Sequence, residues 1–199
     1  MSKLVNAAMA AMATVVPVAA LAPRSEKTGG PQAADELVWT LRDSGLQGRD
    51  LVDAAMRAVA AEYTHESLWH MWESPEVSLA RGRGWSHQYN TVLCDVARGL
   101  GFDAHLVHAA RVRGFRHPWW YAGHAWVKVT VDGRQHDACA SRVANRLGDV
   151  GFTPVTAELP YRRVTRLGVA LALTPFVTVG VWRAWLTGRP VSRWIYRER

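Results

Sequence analysis

Cysteine is scarce in this chain: two residues, Cys94 and Cys139, in 199. Two cysteines cannot build the disulfide framework that holds small secreted domains together, so stability has to come from an apolar core. Cys94 falls on the apolar face of a helical stretch and reads as a small core residue. A Cys94–Cys139 bridge and a pair of free thiols in a reducing compartment both fit the sequence. Acidic residues are almost missing from the C-terminal part. Residues 160–199 hold eight Arg and one acid, Glu198, whereas residues 1–159 hold 16 basic and 16 acidic residues. The net charge of +7 therefore belongs to the tail, and a neutral body with a basic tail points to an anionic partner. Tight metal-ligand spacing is also lacking. The eight histidines include no H-E-x-x-H pattern, and His105 and His108 have opposite parity on a strand, so neither a metal ion nor a cofactor is expected. No nucleic-acid-binding motif accompanies the tail, whose arginines interrupt apolar stretches instead of lining a polar face. Nucleic acid is not an expected partner.

At this length the chain builds one core. Charge is absent from Leu4 to Pro23 and again from Leu167 to Trp182. The first stretch fits a signal sequence with an Ala20-Leu21-Ala22 cleavage box, an Ala-rich membrane helix interrupted by Pro17, or a soluble amphipathic helix. The second is 16 residues long, short for a span, and Trp182, Trp185 and Trp194 interleave with Arg as at a membrane–water boundary. Arg183 lengthens it only by snorkelling. The resulting division is an apolar segment with a linker at 1–33, a folded domain at 34–160, and a basic, Trp-rich segment at 161–199. An anionic membrane surface is the expected partner of residues 161–199. Localisation is membrane-associated or cytoplasmic, with secretion through the first segment left open.

Between these ends the patterning predicts helices at Ala34–Arg42 and Asp50–Tyr63, the latter capped by Asp50. Trp69 and Trp72 lie in a short segment closed by Ser74-Pro75. The clearest helix follows Ser86. Tyr89, Val92, Leu93, Val96, Ala97 and Leu100 fall at i, i+3, i+4, i+7, i+8 and i+11, and Gly101 closes the helix. A strand follows at Ala104–Val112. The next stretch, which includes Arg111, Arg113, Arg116 and the aromatic run His117-Pro118-Trp119-Trp120-Tyr121, reads as a loop. Ala125–Val131 alternates as a strand, Asp132-Gly133 signals a type I′ turn, and the return strand runs to about Cys139. Helices followed by an antiparallel hairpin give an α+β fold, not a repeating βαβ unit.

The chemistry gathers at the start of the long helix. A side chain there meets free N–H groups and the positive end of the helix dipole. That field stabilises a thiolate, but it does not ionise a serine hydroxyl, which needs a base during attack. The residue in that place is Ser86, and His124 on the later strand is the candidate base.

Gly84-x-Ser86, the helix to Gly101, and His124-Ala125-Trp126 followed by an Asp-Gly hairpin resemble the transglutaminase-like core of the papain-like group. That core reads G-x-C, a helix ending in L-G, then H-A-W and an acidic residue. The segment RGWSHQYN also resembles the R-G-G-x-C-x-E-x-N segment of arylamine N-acetyltransferases. The resemblance covers about residues 75–141. It implies a buried helix on an antiparallel sheet, a cleft for a peptide or protein amide, and acyl transfer or hydrolysis. The chain departs from the family at two seats. Ser86 stands where the family has its nucleophilic cysteine, and Cys139 stands 15 residues after His124, where the family has its acid. Asp137, 13 after, is the nearest carboxylate. The hairpin register pairs Trp126 with Cys139 and Lys128 with Asp137, so Asp137 and Cys139 share a face.

Three readings of the site follow. Ser86, His124 and Asp137 form a serine triad for amide acyl transfer or hydrolysis. Alternatively the scaffold persists without its chemistry and binds a peptide or protein. In the third, Cys139 or Cys94 acts as a substitute thiol near His124. A membrane-tethered scaffold, in which the tail matters more than the cleft, is a further functional class. Trp85, Gln88, Asn90, Trp126 and Cys139 are expected to line the site. Gln88 and Asn90 either polarise it or satisfy buried backbone groups. His87 and Tyr89 flank the cleft, with Tyr89 on the core stripe.

Overall fold

The computed structural model describes residues 3–22, 29–31, 33–65, 73–114, 117–192 and 195. The segment holding His70, Trp69 and Trp72, most of the expected linker, Arg116, and Trp194 lie outside the described residues. The described residues form α1 (Lys3–Ala20), α2 (Ala34–Arg42), α3 (Gly48–Glu62), β1 (Thr64–His65), α4 (Pro75–Arg81), β2 (Arg83–Gly84) and α5 (Ser86–Gly99). Then come β3 (Asp103–Gly114), β4 (His117–Val131), β5 (Arg134–Ala138), β6 (Phe152–Pro154), β7 (Leu159–Pro160) and α6 (Arg163–Leu186). The architecture is α+β, as the patterning requires.

The sheet is antiparallel in the order β5-β4-β3-β6, with β7 also pairing with β3. The β4–β5 hairpin turns where expected. Asp132 and Gly133 both take positive φ, 51° and 72°, which is what a type I′ turn demands of its two central residues. The register follows from the turn: Lys128 faces Asp137 and Val127 faces Ala138.

α5 lies on β3 and β4. Its stripe is the centre of the core, with Leu93 and Val96 fully buried and Tyr89, Val92 and Ala97 nearly so. Burying each Val or Leu contributes about 1.5–3 kcal/mol, so this face alone fixes the helix to the sheet. α2, α3 and α4 pack around the same helix through Val38, Leu41, Val52, Met56, Val59 and Leu79. The chain leaves α5 through Leu100, and Gly101 follows with φ 94°, the expected C′ residue.

Three local readings need correction, and the state of the cysteines is settled. Asp50 is not the cap of α3: the helix begins at Gly48 after Gln47, and Asp50 lies in its first turn, where a carboxylate favours the dipole. Ser74-Pro75 opens a helix instead of closing a segment. Ser74 Oγ accepts from the Val77 N–H and Pro75 occupies the first turn. The run His117–Tyr121 is not a loop. Its backbone extends β4 and pairs with β3, Arg113 facing Tyr121 and Gly114 facing His117. Cys94 and Cys139 are free thiols, so the bridge that the sequence left open is not formed.

A second, smaller apolar cluster joins the chain's outer helices. Val18 of α1 is buried against Val177 and Val181 of α6 and against Ile195. Among the described residues one helix, Lys3–Ala20, is long and apolar enough to cross a membrane by length and composition.

Candidate active site

Ser86 is the first residue of α5, immediately after Trp85, whose extended backbone (φ −104°, ψ 173°) caps the helix. Gln88 completes the cap. Its Oε1 accepts from the Trp85 backbone N–H at 2.9 Å, and its Nε2 donates to the Glu73 carbonyl at 3.3 Å. Gln88 therefore holds the helix start in place by satisfying backbone groups. Ser86 itself is only 5% exposed, so an attacking Oγ would meet substrate through a narrow opening.

His124 sits on β4, opposite Ala109 of β3. Its ring is walled by Phe152 of β6, edge-on at a centroid distance of 4.6 Å, and stacks against Trp126 at 6.2 Å. Burial among these rings pushes the imidazole down to about 3, and the nearby His65 and His108 push in the same direction. His124 is accordingly neutral at physiological pH.

Cys139 meets the ring of His124. His124 Nε2 and Cys139 Sγ lie 3.3 Å apart. Burial holds the Cys139 thiol above its ordinary range, although Ser141 and Asn90 direct donors at the sulfur. The pair is thus thiol and imidazole, not thiolate and imidazolium. Asn90 ties the same corner together. Its Nδ2 donates to the Ala125 carbonyl at 2.7 Å and to Cys139 Sγ at 3.4 Å, and its Oδ1 accepts from the Ala140 N–H at 2.9 Å. Asn90 thus satisfies backbone groups and also touches the site.

Asp137 does not take part in this arrangement. Its Oδ1 accepts from Trp126 Nε1 at 2.7 Å and pairs with Lys128 Nζ at 2.7 Å. Lys128 also reaches Glu158 at 2.8 Å. Burial works against the charge of Lys128, but these hydrogen bonds and carboxylates outweigh it and raise the ammonium above its usual range. The expected Ser86–His124–Asp137 chain is therefore not what the geometry assembles. Asp137 belongs to β5 and Cys139 follows directly after its end at Ala138, and of the two only Cys139 meets the His124 ring. Asp137 lies one step along, where Trp126 and Lys128 meet it. Among the described residues no hydrogen bond joins Ser86 to His124.

Two aromatic residues of the site carry no signal in the sequence. Phe152 enters from β6, and Tyr161 follows β7 and stacks on His87 with centroids 6.1 Å apart. Both lie in short segments without periodicity, and only the pairing of β6 and β7 with β3 brings them here.

The contact at Nε2 bears on which ring nitrogen of His124 carries the proton. The Cys139 S–H donates to a bare Nε2, or Nε2–H donates to the sulfur, according to the tautomer. A carboxylate in that place could only accept, which would fix the proton on Nε2 and leave the lone pair on Nδ1.

No family model and no curated protein matches the sequence. In solved structures the chain is similar to a TGase at 15% identity and TM-score 0.44, over 54% of this chain and 30% of that one. It is similar to a putative protease from Parabacteroides distasonis at 15% identity and TM-score 0.43, over 75% of this chain and 31% of that one. A putative cysteine protease from Cytophaga hutchinsonii is similar at 12% identity and TM-score 0.43, over 74% of this chain and 51% of that one. The chain spans about half or less of the length of each.

Proposed function

We propose that this chain is a transglutaminase-like domain whose cleft no longer transfers acyl groups and instead binds a peptide segment of another protein. The observation that carries this reading is the His124–Cys139 contact, a thiol where a catalytic histidine needs a carboxylate. Ser86 adds to it. A hydroxyl at a helix start gains little from the dipole and depends wholly on a base. Burial keeps His124 neutral, and the neutral thiol beside it offers no negative charge to stabilise the imidazolium that proton transfer would form. Phe152, only partly buried and edge-on to His124, supplies apolar surface for a bound side chain.

The test is labelling with a serine-directed fluorophosphonate. Wild type and Ser86→Ala are expected to label equally weakly. Labelling of wild type that disappears in Ser86→Ala overturns the reading and restores a serine acyltransferase or hydrolase. Binding is checked by selecting from a displayed peptide library and measuring the affinity of the selected peptides. Loss of affinity on Phe152→Ala is expected, and unchanged affinity removes the cleft from the binding surface.

A further inference from the structure

The helices at the two ends of the described chain share a seam. Val18 meets Val177 and Val181, and Trp182 Nε1 donates to the Thr14 carbonyl at 2.8 Å. Away from that seam Leu4, Met9 and Met12 of α1 and Leu171, Phe176 and Val179 of α6 are each at least 60% exposed. A water-soluble surface rarely shows so many large apolar side chains together. Neither helix contains an acid, and the charges they carry stand at the edges of the apolar runs: Lys3, Arg163, Arg166 and Arg183. Trp182 and Trp185 pack edge-on at 5.1 Å on either side of Arg183, the combination of amphipathic rings and cations that suits a lipid headgroup layer.

A second copy of the chain would bring these basic edges against one another, whereas anionic headgroups neutralise them. The seam also decides how the helices meet lipid. Trp85 packs against the Val18–Val177–Val181 cluster, so the folded domain sits beside α6 beyond its midpoint. An α6 that crossed a bilayer would carry the polar domain into hydrocarbon. We propose that α1 and α6 act as one lipid-binding unit. They lie in the interfacial layer of an anionic bilayer and hold the Trp85–Ser86 edge of the domain at that surface. This widens the expectation of contact through residues 161–199 alone, because α1 contributes Leu4, Met9 and Met12 to the exposed apolar side chains. It is independent of whether Ser86 reacts.

Flotation of the full chain with phosphatidylcholine vesicles, with and without phosphatidylserine, tests the proposal. The chain is expected to float with the serine-lipid vesicles and about tenfold less with phosphatidylcholine alone. Met9→Glu with Met12→Glu in α1, and Leu171→Glu with Phe176→Glu in α6, each reduce flotation by about tenfold. All four positions are exposed, so thermal unfolding followed by circular dichroism stays unchanged. Trp fluorescence is quenched by bromines near the headgroups and not by bromines deep in the acyl chains. A chain that stays in the bottom fraction with both vesicle types overturns the proposal. So does loss with the α6 pair but not the α1 pair, quenching only by deep bromines, or a lipid-free dimer broken by the same substitutions.

Discussion

Cys139 Sγ stands 3.3 Å from His124 Nε2, on the side of the ring where an acyl-transferring histidine is normally oriented by a carboxylate. Both groups are neutral for the same reason, burial. Burial opposes charge on an imidazole by lowering its pKa and on a thiol by raising it. From this contact the state of the site follows, and it can be reversed.

Cys139→Asp is expected to fix the ring's proton on Nε2. A carboxylate in that seat accepts Nε2–H, frees Nδ1, and raises the His124 pKa by about 1–3 units. Nitrogen-resolved NMR of the imidazole reports the tautomer directly. Combined with Ser86→Cys, the same substitution is expected to produce iodoacetamide labelling that Ser86→Cys alone does not. Equal labelling of the single and double variants would contradict the role given to Cys139.

Stability is expected to fall on acidification because of His124. Its pKa when folded, about 3, lies below that of the unfolded chain, about 6.5. Between those values the unfolded state binds a proton that the folded state refuses. The contribution of His124 is therefore fully present above about pH 6.5 and is lost as pH falls toward 3, at up to about 1.4 kcal/mol per pH unit. His108, also lowered by burial, acts in the same direction. Urea unfolding of wild type and His124→Gln across this range checks it. The variant should show a shallower slope, and parallel slopes would remove the assignment.

Asn90→Ala is expected to destabilise the domain by about 2–4 kcal/mol. It strands the Ala140 N–H and the Ala125 carbonyl in a buried corner, and each buried group left unpaired costs about 1–3 kcal/mol. The midpoint of chemical denaturation reads the loss. Asn90→Asp should recover part of it, since its carboxylate keeps the acceptor for Ala140. A loss below about 0.5 kcal/mol would mean that water replaces the side chain.

Gly99→Ala should also destabilise the fold, although alanine is the better helix former by about 1 kcal/mol. A Cβ at this position would come 2.7 Å from Val38 Cγ2. α2 and α5 are too close there for a methyl group, and overpacking of this kind costs about 1–3 kcal/mol. Val38→Ala combined with Gly99→Ala should relieve part of the cost, which thermal melts of the two single variants and the double variant would show. A stabilised Gly99→Ala would mean that the helices separate without penalty.

The long helix was legible because Tyr89, Val92, Leu93, Val96 and Ala97 carry a 3.6-residue period and face one partner, the sheet. The hairpin was legible because Asp132-Gly133 tolerates the positive φ that the turn requires. Register then came at no extra cost, since a fixed turn fixes every pair behind it. α4 was missed because seven residues show too little periodicity, and its signal lay in the Ser74 cap and Pro75 alone. The aromatic run after His117 was read as a loop because proline and bulky rings obscured alternation, while pairing with β3 made its backbone a strand.

Local patterning by itself determined the long helix, the β4–β5 hairpin and the candidate residues Ser86, His124, Asp137 and Cys139, since side-chain period and turn chemistry act over a few residues. What each seat contacts was decided only by tertiary structure. Asp137 and Cys139 lie two residues apart at the end of β5, and spacing alone does not say which of them meets His124. The packed sheet sets Trp126 and Lys128 beside Asp137 and brings Asn90 from α5 onto Cys139, so the thiol and not the carboxylate meets the ring. A hydrogen bond depends on tenths of an ångström between groups distant in the chain, and that precision exists only once the core has packed.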